Sequence, residues 1–149
     1  MTDWDRARAL AQSGLAPALA LVGRWEGDGI AHGEAVRGVL TVRAVLDATH
    51  IEVWERLEPL VAGGSVVAHE DVCFYRYDVA SAQIRVLHLM APAVVTEYAV
   101  EASMDGLVWV TPPNAPSVVW NLRGEALESE VYWPDQRVPE VRIAYRRVG

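Results

Sequence analysis

The chain has little of the chemistry on which several protein classes depend. It contains one cysteine, Cys73, so neither an internal disulfide nor a site built from several cysteine ligands can form. It contains no lysine, because all 13 basic residues are arginine, and this excludes a Schiff-base mechanism on a lysine side chain. Cys73 lies in the apolar run of residues 72–75, which favours a buried structural thiol over a reactive one.

Long apolar runs and basic clusters are also missing. No apolar run approaches the roughly 20 residues that span a bilayer, so we expect no membrane partner. Asp3 and Asp5 lie where a secretory signal peptide carries positive charge, which predicts a cytoplasmic protein. The formal net charge is −7, and an acidic surface repels phosphate backbones, so we expect no nucleic-acid partner.

What the sequence does contain is a succession of short strands. From residue 22 onward the hydrophobic pattern has a period of two, and turn residues separate the segments. Strands are predicted over residues 23–32, 35–45, 49–57, 66–77, 83–90, 94–102, 107–111, 117–122, 126–133 and 138–148. A meander of this length needs closure, since open edges invite aggregation. We therefore predict an all-β fold, a ten-stranded antiparallel up-and-down β-barrel.

The first 21 residues have a different pattern. Ala7, Leu10, Ala11 and Leu15 are near helical spacing, and Thr2 or Asp3 can cap the start. Pro17 interrupts the pattern, so a helix to about residue 13 and then a second short turn are expected. The chain is thus predicted to be a single domain over 1–149, with a helical segment at 1–21 and a barrel at 22–149.

The junction of these two parts carries a family resemblance. Residues 15–29 combine an apolar helical turn with Gly23-x-Trp25-x-Gly27-x-Gly29, which resembles the opening of nitrobindin-like proteins. These are calycins with a fatty-acid-binding-protein-like barrel. The resemblance implies that Trp25 plugs one barrel end and that an arginine of the last strand, Arg146 or Arg147, stacks on it. Gly23 and Gly27 would permit the bends that closure requires.

The resemblance also implies a haem, which the residues do not favour. Nitrobindin-like proteins that bind haem use a histidine just before the closing strand, and the equivalent position here is nearest Glu140. No histidine follows His88, and a carboxylate is a poor proximal ligand. We therefore predict no cofactor and keep haem, with His50, His69 or His88 as the iron ligand, as an alternative.

The remaining histidines and charged residues give no metal or catalytic motif. The spacing of His32, His50, His69 and His88 matches no compact metal site, and separate histidines are favoured over a joint site. No hydrolase or phosphate-binding motif is present, so no catalytic residue is predicted. Four charged residues within strands are expected on the solvent face, namely Arg85, Glu97, Glu128 and Arg142.

Aromatic residues within strands indicate a ligand pocket. Large amphipathic rings suit a cavity for a flat or apolar molecule, although they serve equally well as barrel core. The predicted ligand-binding residues are Trp54, His88, Tyr98, Trp109, Trp120 and His50. Arg142 and Tyr145 have an odd spacing and should face opposite sides, which disfavours the fatty-acid carboxylate site that an Arg-x-Tyr pair forms.

We therefore expect a barrel that binds a small hydrophobic or aromatic ligand and is not an enzyme. Two alternatives remain open: a haem protein acting on nitrogen oxides, and a small cofactor-free calycin enzyme of the isomerase or decarboxylase type. A carboxylate with a strongly raised pKa deep in the barrel would favour the enzyme. Homodimer formation through an exposed aromatic patch is a further possibility.

Overall fold

The computed structural model describes residues 1–91 and 94–149 of the chain. These residues form helix α1 (Asp3–Leu15), a 3₁₀ helix (Ala16–Leu21) and strands β1 (Gly23–Ala31), β2 (Glu34–Val45), β3 (His50–Pro59), β4 (His69–Asp78), β5 (Gln83–Met90), β6 (Val94–Ser103), β7 (Gly106–Val110), β8 (Ser117–Arg123), β9 (Ala126–Tyr132) and β10 (Val141–Arg147). Each strand pairs antiparallel with the next, and β10 pairs with β1 to close the barrel. The predicted fold class is confirmed.

The predicted strands differ from the observed ones mainly at two ends. β4 begins at His69 rather than at residue 66, because the backbone amide of Val66 donates to the Glu34 carboxylate at 3.0 Å instead of to a neighbouring strand. β10 begins at Val141 rather than at 138, and Pro139 in the preceding loop has no amide hydrogen for a strand ladder.

The N-terminal segment closes one end of the barrel. A capping box between Thr2 and Asp5 starts α1, and the 3₁₀ helix accepts Pro17 in its first turn, where no amide donor is needed. The apolar residues Leu15, Ala18 and Leu21 are buried against the barrel. Among the described residues, no helix has the length and apolar character that a membrane-spanning helix needs.

The corner between the 3₁₀ helix and β1 has the predicted tryptophan–arginine contact. Trp25 is fully buried and donates its indole N–H to the carbonyl of Leu21 at 2.9 Å. The guanidinium carbon of Arg147 lies 4.2 Å from the Trp25 ring centroid, and Nη2 of Arg147 donates to the carbonyl of Ala20 at 2.9 Å. Arg146 is exposed on the outer face, so the assignment of Arg146 to barrel closure is wrong; strand parity sends adjacent side chains to opposite faces.

The glycines of this corner allow neighbouring groups to approach closely. Gly23 has φ +147°, and a Cβ there would lie 2.5 Å from Nη1 of Arg147. A Cβ on Gly27 would lie 2.0 Å from the carbonyl oxygen of Ala144, so β1 and β10 approach closely only because position 27 has no side chain.

Candidate ligand-binding cavity

The barrel contains a cavity of about 360 Å³ at the end away from α1. This volume lies within the range of about 300–1,000 Å³ that small-molecule sites have. Twenty of the described residues, from the inner face and the rim, line it: His32, Val53, Glu55, Leu57, His69, Asp71, Cys73, His88, Met90, Val94, Thr96, Tyr98, Trp109, Pro116, Val118, Trp120, Ser129, Val131, Trp133 and Val141. Since folded interiors contain few voids larger than a water molecule, a cavity of this size is a candidate binding site.

Four of the six predicted ligand-binding residues line this cavity: His88, Tyr98, Trp109 and Trp120. Two do not, and their prediction as cavity-lining residues is corrected. In β3 the buried residues are Ile51, Val53 and Leu57, so the even-numbered positions point outward. Trp54 therefore lies on the outer face and donates its indole N–H to Glu70 at 3.0 Å. His50 lies on the same outer face and contacts the Thr49 hydroxyl at 2.9 Å.

Aromatic rings form one wall of the cavity. The ring of Trp109 lies 5.9 Å from that of Tyr98 and 5.3 Å, edge to face, from that of His88, measured between centroids. The indole N–H of Trp109 donates to the hydroxyl of Tyr75 at 2.9 Å, below the cavity. Because this polar group is already used, Trp109 presents ring surface to the cavity.

A polar cluster lies on the adjoining wall, formed by β3, β4 and β5. Nε2 of His88 is 2.7 Å from Oδ2 of Asp71, and both side chains are less than one-fifth exposed. The imidazole is the donor, because an ionised carboxylate can only accept. Glu55 lies on β3, and its Oε2 accepts a hydrogen bond of 2.7 Å from the hydroxyl of Tyr145 on β10.

The environment of Glu55 changes its ionisation. Loss of solvation inside the barrel and, to a lesser extent, the charge of Asp71 raise the pKa of Glu55 to about 8, although the hydrogen bond from Tyr145 opposes this shift. Glu55 is half-buried, lines the cavity and lies on an inward-facing strand position, so the surface that it exposes faces the cavity. Glu55 is thus a neutral carboxylic acid at neutral pH, within reach of a bound molecule.

Three other groups beside this cluster are kept protonated. Burial, followed by the charges of Asp71 and Glu55, raises the pKa of the Cys73 thiol well above its usual value. Burial also raises the pKa of the hydroxyls of Tyr75 and Tyr145. The predicted role of Cys73 as a buried thiol agrees with its 7% exposure.

Asp71, Cys73 and His88 also bring three metal-ligating atoms within 4.8 Å of one another. Cys73 and His88 are directly paired across β4 and β5, and Asp71 shares the inward parity of Cys73. The 2.7 Å separation of Asp71 and His88 is that of a hydrogen bond, whereas two such ligands on one tetrahedral zinc ion lie roughly 3.3 Å or more apart. As it stands, the arrangement is a hydrogen-bonded aspartate–histidine pair rather than a preformed metal site.

The rim of the cavity has a second carboxylate–histidine contact. Nδ1 of His32 lies 2.9 Å from Oε1 of Glu140, and the His32 ring stacks on Trp133 with centroids 6.0 Å apart. Glu140 is the position where the nitrobindin-like resemblance would have a histidine. His32 is therefore the imidazole beside that position, whereas the alternative iron ligand His50 lies on the outer face.

The charged strand residues are placed as predicted. Arg85 pairs with Glu97 at 2.8 Å and Arg142 with Glu128, all on the outer face of the barrel. Arg142 and Tyr145 face opposite sides of β10, as their spacing predicts, and only Tyr145 enters the lumen.

The sequence prediction missed Glu55 and Asp71. A signal for them exists, because each shares strand parity with apolar residues: Glu55 with Ile51 and Val53, and Asp71 with Cys73 and Tyr75. A carboxylate on the apolar face of a strand is unusual enough to mark a candidate site.

Neither a model of a known protein family nor a curated protein matches the chain.

Proposed function

We propose that this barrel binds a small, largely apolar molecule with an aromatic ring inside the cavity. The observation that carries the proposal is the division of one cavity of about 360 Å³ into an aromatic wall and a polar cluster. The rings of Tyr98 and Trp109 would contact a flat apolar body, and burying it gains about 25 cal/mol per Å². Glu55, Asp71 and His88 would hold one polar group of the ligand and fix its orientation.

Tryptophan fluorescence tests this proposal, with phenethyl alcohol as a neutral aromatic probe that does not absorb at the red edge of tryptophan absorption. We expect saturable quenching, because Trp109 and Trp120 line the cavity. Replacing Trp109 with Phe should reduce the signal, whereas Trp54→Phe on the outer face should leave the saturable change in place.

A variant that fills the cavity tests whether the probe binds inside it. Thr96 lines the cavity and is paired with His88 across β5 and β6, so Thr96→Phe should abolish binding. Its neighbour Val95 is 60% exposed on the outer face, and Val95→Phe makes a comparable enlargement there without entering the lumen. Equal probe binding by the two variants, or no saturable binding by the wild type, would remove the proposal.

A second candidate function is acid–base catalysis without a cofactor, of the isomerase type. Two observations favour it: the 2.7 Å contact between His88 and Asp71, and the pKa of Glu55, which burial raises to about 8. A general acid and a general base near neutral pH are what proton transfer to and from carbon requires. The assay is exchange of an enolisable hydrogen of an aromatic ketone in deuterated water, and loss of that exchange in both Glu55→Gln and Asp71→Asn supports this candidate.

The nitrobindin-like resemblance supports a separate hypothesis of haem binding at the cavity rim. His32 would be the ligand, because Glu140 can orient its ring as carboxylates do for metal-bound histidines. Bound haem would supply an iron atom for chemistry on nitrogen oxides. A Soret band after haem addition that is lost in His32→Ala supports this hypothesis, and no band at micromolar haem removes it.

A further inference from the structure

Among the described residues, the cavity is lined by two carboxyl groups and three histidines. Glu55 and Asp71 face it, and its basic groups are the histidines His32, His69 and His88, with no arginine among the described lining residues. The arginines that lie in strands near the cavity pair on the outer face, as Arg85 and Arg142 do. Within the described residues the lumen therefore has no permanent positive charge beside its two carboxyl groups.

Each carboxyl group keeps one oxygen available to a guest. Glu55 uses Oε2 for the Tyr145 hydroxyl, and Asp71 uses Oδ2 for His88. Oε1 of Glu55 and Oδ1 of Asp71 have no hydrogen-bond partner among the described residues. Within that part of the chain no buried side-chain oxygen lacks a partner, so these two atoms are accessible, and both residues line the cavity.

The aromatic wall is compatible with a positive charge. The indole N–H of Trp109 is occupied by Tyr75, so Trp109 offers the negative face of its ring, close to that of Tyr98. A cation near such faces gains cation–π stabilisation, which increases when the site is desolvated. An anionic ligand would meet the same ring faces and the charge of Asp71, and both would repel it.

We infer that the ligand of this cavity is a small aromatic molecule with a protonated amine, whose ammonium group binds the free oxygens of Glu55 and Asp71. This inference rests on the proposed function and specifies the class of ligand. The ring of the ligand would lie against Trp109 and Tyr98, and the ammonium group would complete the hydrogen bonding of both carboxyl groups. The carboxylate pair, rather than the shape of the cavity alone, would then select among aromatic molecules of equal size.

Proton release is a consequence of this arrangement. Asp71 and Cys73 from β4 and Tyr145 from β10 lie beside Glu55, His88 from β5 is hydrogen-bonded to Asp71, and burial raises the pKa of Glu55 to about 8. An ammonium group beside Glu55 favours its ionised form, so the carboxyl proton leaves to solvent as the amine binds. A neutral alcohol would not cause this loss.

Isothermal titration calorimetry with phenethylamine, phenethyl alcohol and phenylacetate tests the inference, with a chelator present so that metal ions do not compete. These three compounds share one ring and differ in the charge of the terminal group. We expect the amine to bind about tenfold tighter than the alcohol, since its hydrogen bonds are charge-assisted. Phenylacetate should bind weaker than both.

Substitutions identify the residue that produces the preference for the amine over the alcohol. Glu55→Gln should reduce the preference for the amine to about twofold or less while alcohol binding persists. Glu52→Gln is the matched control, since Glu52 is on the outer face of the same strand and pairs with Arg43; it should keep the full preference. Should Glu55→Gln fold poorly, wild-type protein gives a second measurement: titration of the amine in two buffers of different ionisation enthalpy should reveal proton release that the alcohol lacks.

The outcomes separate this inference from the proposed function. Binding of the alcohol with no tighter binding of the amine and no proton release would overturn the inference and leave the binding function intact. Phenylacetate as the tightest ligand would overturn it as well. No binding of any of the three compounds would overturn both.

Discussion

The hydroxyl of Tyr145 on β10 donates a 2.7 Å hydrogen bond to Glu55 on β3, across the two intervening strands β1 and β2. Both intervening strands have a glycine on this path, Gly27 against the backbone of β10 and Gly38 against the tyrosine ring. Gly27 is paired with Tyr145 and with Gly38, and a Cβ on Gly38 would lie 2.3 Å from the tyrosine hydroxyl oxygen. The two glycines thus allow the closing strand to contact the polar wall of the cavity.

Gly38→Ala is expected to destabilise the protein by about 1–3 kcal/mol. The added methyl group would overlap the buried Tyr145 side chain, which cannot move without losing its contact with Glu55. Chemical denaturation monitored by circular dichroism measures this change in the free energy of unfolding.

A double-mutant cycle with Tyr145→Phe identifies the cause. Removing the hydroxyl takes away the nearest atom of the clash, so Gly38→Ala should cost less in the Tyr145→Phe background. Identical costs in both backgrounds would show that Gly38 is needed for another reason.

Arg147→Lys is expected to lower the free energy of unfolding by about 1–3 kcal/mol. A lysine cannot both stack a planar group on Trp25 and donate to the carbonyls of Ala20 and Val22, as the guanidinium does. Arg146→Lys is the matched control on the exposed face, with an expected change within about 0.5 kcal/mol. Thermal unfolding of both variants under the same conditions measures these changes in stability. Equal destabilisation by Arg147→Lys and Arg146→Lys would contradict the assignment of Arg147 as the residue that stacks on Trp25.

The raised pKa of Glu55 gives stability a defined pH dependence. The pKa of Glu55 rises from the ordinary value of 4.5 to about 8 in the folded protein, so the folded state binds the proton more tightly than the unfolded state. The contribution of Glu55 to stability is therefore greatest below pH 4.5 and declines as the pH rises toward 8, above which it stays constant. The decline should be on the order of a few kcal/mol at most.

Glu55→Gln removes this titration and leaves the other groups in place. The difference in free energy of unfolding between Glu55→Gln and the wild type should therefore increase, in favour of the variant, between pH 4.5 and 8. Denaturant titrations at a series of pH values measure it. A difference that stays constant over that interval would mean that Glu55 has an ordinary pKa in the folded protein.

Cys73 should be slow to alkylate in the folded protein although it lines the cavity. Burial raises the pKa of its thiol, and only the thiolate attacks iodoacetamide. Mass spectrometry of the native and denaturant-unfolded protein at one pH should show much faster labelling after unfolding. Equal rates would contradict both the burial and the raised pKa.

The fold could be predicted from the sequence because the sequence patterns that specify it are local. The turn residues between segments, the period of two and the Gly23–Trp25 corner each specify their own short stretch, and together they predict ten strands in the observed order. The first residues of β4 and β10 were harder to predict, because a tertiary contact of Glu34 and a proline-containing loop determine where strand pairing begins.

The candidate site could be predicted only in part from the sequence. Both faces of β3 carry large side chains, so its alternation alone did not show that Glu55 faces inward and Trp54 outward. The contact of Glu55 with Tyr145 joins residues that are 90 positions apart, and the pair of Asp71 with His88 depends on the register of β4 and β5. Such cross-strand relationships leave no spacing signature in one sequence.

The ionisation of Glu55 beside the cavity is tested most directly by the ¹³C chemical shift of its side-chain carboxyl, assigned with Glu55→Gln and followed over pH. We expect a midpoint near pH 8 in the free protein and a shift of the resonance when phenethyl alcohol or phenethylamine is added, with the amine also lowering the midpoint. A midpoint near pH 4.5 that neither compound affects would contradict it, because Glu55 would then be solvated and away from any guest.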